Sequence, residues 1–526
     1  MKIRNGLFTQ NNYNEVITFL KNQILENKLL ILCIALFLIS SFFFQSKFLY
    51  NWDAGQFALG TKNYSLSEHQ PHPPGYFLFV LTGNFLNYGF DDINTSFVFL
   101  NILAGLFAII FLYKALYLLS SNEVISFWGA LFFIVNPVFW FYHSVALTYT
   151  FEALLTIMLS YLTYRQLLKR LPALPASAFL TTFIAGFRPS VLIIALPFLI
   201  SQIVYSEKKS RDLWLGLLAG LAGSLVWFPV FVLKVGGIMP LYKFVISQLG
   251  VANATVVYNI NHKLFILQSF VYALHLVLVF LLLFLKKTWF FIRKQRLFFL
   301  ILAIIWQLIV YLFLHFGDVG YILSIVPLFY LLLIPTLQQM SLNKRRMGLV
   351  CVILVGFQFY VFVFGMNFIN HHKIKQLTFL DIKTHDNRVY NFINFLDKYN
   401  PEETLVILLR GQYLASNGEV ASYPYDDIRL LSYYLPDYKL YDLLGVKDIY
   451  FVAKNYTYSQ KNQSDITVSS KIKDVIFLAD YIHPEMRPVA LRLNYLYDSP
   501  DTRNIYWGAF EQKEFEYNGM IFKKME

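Results

Sequence analysis

The residue types and spacings in this chain that point to chemistry are a carboxylate, two histidines and an arginine. Asp53 stands in Asn51-Trp52-Asp53-Ala54-Gly55-Gln56-Phe57, a few residues beyond a long apolar run and among aromatic side chains. Partial desolvation at such a boundary makes a carboxylate a better proton acceptor. The competing reading is that Asp53 caps a helix beginning near Gly55. The same stretch continues into Glu68-His69-Gln70-Pro71-His72-Pro73-Pro74-Gly75-Tyr76-Phe77. Histidines three apart beside a helix start suit an anionic headgroup or phosphate, and proline on both sides of His72 stiffens its backbone. Together with Asp53 or Glu68 the two histidines also offer a divalent-metal site, a minor reading because the proximity of the carboxylates is unproven. Arg188, in Ala185-Gly186-Phe187-Arg188-Pro189-Ser190, lies between two apolar runs. An arginine there is costly unless it is paired, faces a polar cavity or snorkels to the headgroups. Glu152 and Asp318, the latter followed by Tyr321, are expected at the same depth.

Membrane helices must hold these residues. The chain has 526 residues, of which 57% are hydrophobic, 18% aromatic and 14% charged, with a mean hydropathy of +0.50. So little charge cannot cover a soluble protein of this length, which excludes the soluble globular classes. The net charge of +12 suggests nucleic acid until the chain is divided at Ile369. Residues 1–369 hold 25 Lys and Arg against 11 Asp and Glu, whereas the remainder holds 19 against 21, so no nucleic-acid partner is expected. Cys33 and Cys351 both lie in apolar runs, which leaves no disulfide framework and no thiol zinc site.

Apolar runs are placed at 29–49, 97–119, 124–143, 149–167, 174–187, 190–205, 213–234, 264–285, 297–315, 319–338 and 349–368, giving about eleven transmembrane helices. With residues 1–28 as a cytoplasmic segment, 19 of the basic residues fall inside and six outside, as the positive-inside bias requires. The first outer loop then runs from about 50 to 96. Its stretch Gly75–Phe90 is read as a helix lying in the outer interface, its first turn fixed by Pro73 and Pro74. A second outer loop is expected from Val235 to Lys263. The expected location is a multi-pass cell (inner) membrane, with the C-terminal part extracytoplasmic.

Residues 370–526 carry 40 of the chain's 76 charged residues in 157 positions and are read as a soluble α/β domain. A helix is expected at Asp386–Tyr399, and strands at Thr404–Leu409, Asp448–Ala453, Asp474–Leu478 and Met520–Lys523. Ser432–Leu444, with its paired tyrosines, reads either as a strand with aromatic packing or as a docking surface.

An acid just after the first span, His-Pro-Pro-Gly-Tyr (72–76) opening the next helix, the Arg188-Pro189 turn and Gly-Tyr-Ile-Leu-x-x-x-Pro (320–327) late in the chain resemble the GT-C glycosyltransferases. The group most similar comprises the protein O-mannosyltransferase-like and aminoarabinose-transferase-like enzymes. The resemblance implies a GT-C-like membrane domain over 29–369. It also implies transfer of a hexose or pentose from a polyprenyl-phosphate donor to the hydroxyl of a glycan, lipid or protein acceptor outside the cytoplasm, with inversion. By the same resemblance Asp53 is the catalytic base, while His72, Arg188 and His69 contact the donor phosphate. Glu68, Tyr76, Glu152, Asp318 and Tyr321 are further pocket candidates; no cofactor is assigned, and a divalent metal is the less favoured option. Many relatives carry a second acid soon after the aspartate. Here Ala54 and Gln56 stand in that stretch, leaving Glu68 or Glu152 as substitutes. The rival reading is a transporter or flippase for a lipid-linked sugar or small molecule. Carriers usually bind near the midplane and often show repeated halves, whereas these candidates cluster near one surface and no repeat is apparent. A membrane-anchored receptor or assembly subunit, with the tail as its working part, is a third reading.

Overall fold

The computed structural model describes residues 27–256, 260–313, 317–339, 344–365 and 377–409, and within the remaining tail 412–414, 420–422, 428–443, 450–461, 465–479, 494–497, 504–517 and 520–525. Nearly all of the expected segment 1–28 lies outside these residues.

Helices dominate up to Phe364. Lys28–Phe44 (α1) is followed by two short helices, Trp52–Lys62 (α2) and Phe77–Phe90 (α3). Then come the long Ile93–Ser120 (α4), Glu123–Ile134 (α5), Pro137–His143 (α6), Thr150–Lys169 (α7), Leu174–Ile184 (α8) and Val191–Tyr205 (α9). Lys209–Leu225 (α10), Phe228–Val235 (α11), Ile238–Val256 (α12), Ile260–Leu283 (α13), Leu285–Gln295 (α14), Phe298–Phe313 (α15), Val326–Gln339 (α16) and Lys344–Phe364 (α17) complete the series. Among the described helices, Ile93–Ser120 and Lys263–Leu283 alone are long and apolar enough to cross a membrane unaided, and three bent pairs raise the number to five. Eleven crossings are therefore not established by length and hydropathy.

The breaks have local causes. Asn136 caps the helix that Pro137 opens, so α5 and α6 meet at 65° where the sequence suggests one run. Pro229 near the start of α11 accompanies a 47° bend after α10. The expected outer loop Val235–Lys263 contains α12, and the prolines expected in the first turn of α3 instead lie in the loop before it. Large apolar side chains such as Phe85, Trp214 and Leu282 remain exposed along the bundle, the pattern of a surface solvated by lipid.

In the tail, Thr378 and Asp381 form a reciprocal capping box that starts α18 at Phe379–Leu396, seven residues earlier than Asp386. Twelve strands are described: β1 Thr404–Leu409, β2 Gln412–Leu414, β3 Val420–Ser422, β4 Lys439–Leu443, β5 Tyr450–Lys454, β6 Thr457–Lys461, β7 Asp465–Val468, β8 Asp474–Ala479, β9 Asn494–Tyr497, β10 Asn504–Ala509, β11 Glu514–Tyr517 and β12 Met520–Lys524. A seven-stranded sheet has the order β6-β5-β4-β1-β8-β10-β9, with β1 parallel to both neighbours. Side chains along β1 alternate between faces. Val406 and Leu408 join a core shared with the membrane helices, while Leu405 and Ile407 join a second core against Phe515 and Phe522.

The segment Ser432–Leu444 divides between two elements. The short helix Ile428–Tyr434 (α19) packs on α2, and Lys439–Leu443 is a strand. The strand reading thus holds for Lys439–Leu443, while Ser432–Tyr434 is helical.

Candidate active site

The site grows from the turn that follows α1. Asn51 accepts from the Ala54 N–H at 3.2 Å and caps α2, so Asp53 is not the cap. Asp53 lies in the first turn of α2, where the helix dipole favours a carboxylate, with its side chain 32% exposed. One turn on, Gln56 faces the loop that carries His72. Gln56 Oε1 accepts from the His72 backbone N–H at 3.2 Å and lies 2.5 Å from His72 Nδ1. An amide oxygen only accepts, so Nδ1 carries the proton and Nε2, 3.1 Å from the Tyr76 hydroxyl, is the acceptor. Asp53 Oδ1 is 3.6 Å from His72 Nδ1.

Burial lowers the pKa of His72, the Asp53 carboxylate opposes that shift, and Arg188 and Arg429 push it lower still. His72 is therefore neutral at pH 7 and acts here through hydrogen bonds. The left-handed backbone at Gly75, φ +116°, lets the loop turn, and the Tyr64 hydroxyl donates to the Gly75 carbonyl at 2.6 Å.

Positive charge comes from the Arg188 turn. α8 ends at Ile184, Pro189 prevents the helix from continuing, and the Gly186 carbonyl accepts from the Leu78 N–H at 2.8 Å, tying this turn to α3. Arg188 is 3% exposed and does not snorkel. Its Nε donates to Glu152 Oε1, and Nη1 donates to Thr148 Oγ1 at 2.8 Å. Its guanidinium carbon lies 3.8 Å from the Tyr149 ring centroid and 4.9 Å from that of Tyr321. Glu152 also accepts from Ser190 Oγ at 2.6 Å. Two buried atoms at this pair, Arg188 Nη2 and Glu152 Oε2, have no hydrogen-bond partner among the described residues. A buried N–H of a guanidinium left unsatisfied is expensive, and an anionic ligand would satisfy it. Asp318 accepts from the Tyr142 hydroxyl at 2.6 Å, and Tyr142, Tyr149 and Tyr321 form a run of edge-on rings with centroids 4.8 and 5.3 Å apart.

The family model described as Protein O-mannosyl-transferase TMEM260 N-terminal domain matches residues 53–214, a span that opens on Asp53 and includes Glu68, His69, His72, Tyr76, Glu152 and Arg188. Over that part of its length the chain is similar to the protein O-mannosyl-transferase family that the model describes. Its fold is that of ArnT from Cupriavidus metallidurans. The crystal structure of that protein bound to undecaprenyl phosphate superposes with a TM-score of 0.58 at 11% identity, covering 92% of this chain and 98% of that one. Its apo structure gives 0.55, again at 11% identity, covering 91% and 97%. At that identity the likeness is one of fold, a helical bundle followed by an α/β region. A sequence comparison with curated proteins finds no match.

Within this ArnT-like fold the remaining candidates separate. The Glu68 carboxylate accepts from Asn63 Nδ2 at 3.1 Å, and the His69 ring is exposed. Both contribute backbone to the site's support, because Arg429 of α19 donates to the Glu68 carbonyl at 3.0 Å and to the His69 carbonyl at 2.7 Å. Arg429, 2% exposed, also lies 4.8 Å from the Trp52 ring, next to Asp53. Sequence reasoning missed Arg429, Tyr142, Tyr149 and the part played by Gln56. For Tyr149 the signal was available, since it lies three residues before Glu152 at helical spacing. Among the described residues no three His, Cys, Asp or Glu side chains are grouped to hold a metal ion.

Proposed function

We propose that the chain transfers a sugar from a polyprenyl-phosphate donor to an acceptor hydroxyl on the extracytoplasmic face, with inversion at the anomeric carbon. The observation that carries this reading is a single cluster joining a part-exposed carboxylate, Asp53, to a buried guanidinium whose Nη2 lacks a partner. The family match over 53–214 supports it, as does likeness in fold to a protein solved with undecaprenyl phosphate bound.

In this mechanism the acceptor O–H gives its proton to Asp53 as the acceptor oxygen attacks the anomeric carbon from the face opposite the phosphate. The bond between that carbon and the phosphate oxygen breaks, and the polyprenyl phosphate leaves with the electron pair. Arg188 meets the charge that develops on the leaving phosphate, the point at which a fixed cation stabilises the transition state more than the ground state. Glu152 and Thr148 hold the guanidinium in place. His72, neutral, orients Tyr76 through the bonds it makes with Gln56 and the Tyr76 hydroxyl and packs beside Asp53. His69 and Glu68 shape the loop, and Asp318 and Tyr321 form the far wall.

The test is purified protein incubated with a panel of polyprenyl-phosphate hexoses and pentoses, with chromatographic detection of free polyprenyl phosphate. Consumption of one donor, accelerated by an acceptor alcohol, is the expected result. No consumption of any donor, combined with facilitated movement of an intact lipid-linked sugar across liposomes, would sink the enzyme reading in favour of a carrier.

A further inference from the structure

We infer that the cavity at the other end of helices α7 and α9 binds a phosphate-bearing anion, presented either on a lipid headgroup or free in solution. This inference is independent of the transfer reaction. Both helices begin at the Arg188 cluster, through Glu152 and Ser190, and both run to this cavity, which Gln166 of α7 and Tyr205 of α9 line. From Glu152 to Gln166 the axis runs about 21 Å, so the two features lie at opposite ends of the same helices.

The cavity, of about 390 Å³, is within the range of small-ligand pockets. Arg170, Lys208, Arg211 and Arg296 line it together with Glu207 and Asp212. Both carboxylates are already engaged: Arg170 pairs with Glu207 at 3.0 Å, Arg211 pairs with Asp212 at 2.9 Å, and Ser206 donates to Asp212 at 2.7 Å. Among the described residues Lys208 and Arg296 form no ion pair, so four cations face two carboxylates at one concavity. The positive-inside bias asks only that basic residues lie on one side of a membrane. It does not ask that cations from three separate connections, after α7, after α9 and after α14, converge on one hollow. An arginine fork beside a lysine suits phosphate oxygens, and a headgroup at the bilayer surface brings that group to the rim.

The experiment uses the full-length protein in nanodiscs of phosphatidylcholine doped with phosphatidylglycerol, with retained phosphatidylglycerol counted by native mass spectrometry. Lys208→Gln/Arg296→Gln is compared with Lys286→Gln, an exposed position on α14 that does not line the cavity. Two lost headgroup contacts correspond to about a thirtyfold weaker retention in the double variant, with wild type and Lys286→Gln alike. Lys208→Gln alone is expected to lose about fivefold, which keeps the test open if the double variant is poorly folded. In a second arm inorganic phosphate is titrated while the unfolding temperature is followed. A phosphate-dependent rise in wild type that the double variant lacks, with equal lipid retention in both, assigns the site to a soluble phosphate. Equal lipid retention in all variants together with no specific phosphate effect overturns the proposal.

Discussion

Asp53 sits 3.6 Å from His72, whose imidazole bonds to Gln56 on one side and to Tyr76 on the other. If Asp53 is the base, Asp53→Asn keeps the fold and lowers donor turnover by about 10²- to 10⁴-fold, the range general-base catalysis supplies. Near-normal turnover in that variant would remove Asp53 from the mechanism. Acidification acts on His72 in a defined direction. Its folded pKa lies below the ordinary 6.5, so as pH falls through that value the unfolded chain takes up the proton first and stability is lost. Protonation also turns Nε2 into a donor and ends its acceptance of the Tyr76 hydroxyl. Unfolding temperature is therefore expected to be level from pH 7 to 8 and to fall below about pH 6.5, with a shallower fall in His72→Gln. An equal fall in both proteins would clear His72 of responsibility. Glu152→Ala strands the buried Arg188 charge and is expected to destabilise the protein by about 3–5 kcal/mol, measured by thermal or denaturant unfolding.

At the scale of elements, the first outer loop is braced by the tail. α19 lies so close to α2 that a methyl group on Gly55 would stand 2.8 Å from the Leu430 backbone nitrogen. Gly55→Ala is therefore expected to cost about 1–3 kcal/mol and to loosen the loop that carries His72, seen as faster hydrogen exchange over 66–72. Unchanged exchange there would show that docking and loop order are separate. Short-range signals made part of this arrangement legible. The alternating run Thr404–Leu409 is a strand as expected, and the acid beyond the first span, the His-Pro-Pro-Gly-Tyr loop and the Arg-Pro turn meet in one cluster. Signals that depend on who caps whom were harder to read: Asn51 takes the cap that Asp53 might have held, and Thr378 with Asp381 begins α18 early. Arg429 was out of reach altogether, because its partners lie 361 and 360 positions away. No local pattern encodes such a contact.

For the whole molecule, the meeting of Arg429 with the Glu68 and His69 carbonyls puts the first loop and the tail on one side of the membrane. An even number of crossings must separate them, and the ten expected from the apolar runs satisfy that parity. Which side they occupy is a matter for labelling. Cys33 and Cys351 are buried and should stay silent towards a membrane-impermeant maleimide. Glu68→Cys should react in intact cells, whereas Lys208→Cys should react only after permeabilisation. The opposite pattern would invert the proposed topology.

Asp386 takes hydrogen bonds from the Ser46 hydroxyl and from the N–H groups of Lys47 and Phe48, just ahead of the turn that leads to Asp53. A ribosome making this chain lays down that turn early and supplies its clasp only after the last bundle helix has been inserted. A nascent chain would thus sit in the bilayer with its reactive loop slack, and competence would arrive late, when the folded tail reaches back to grip both ends of the loop.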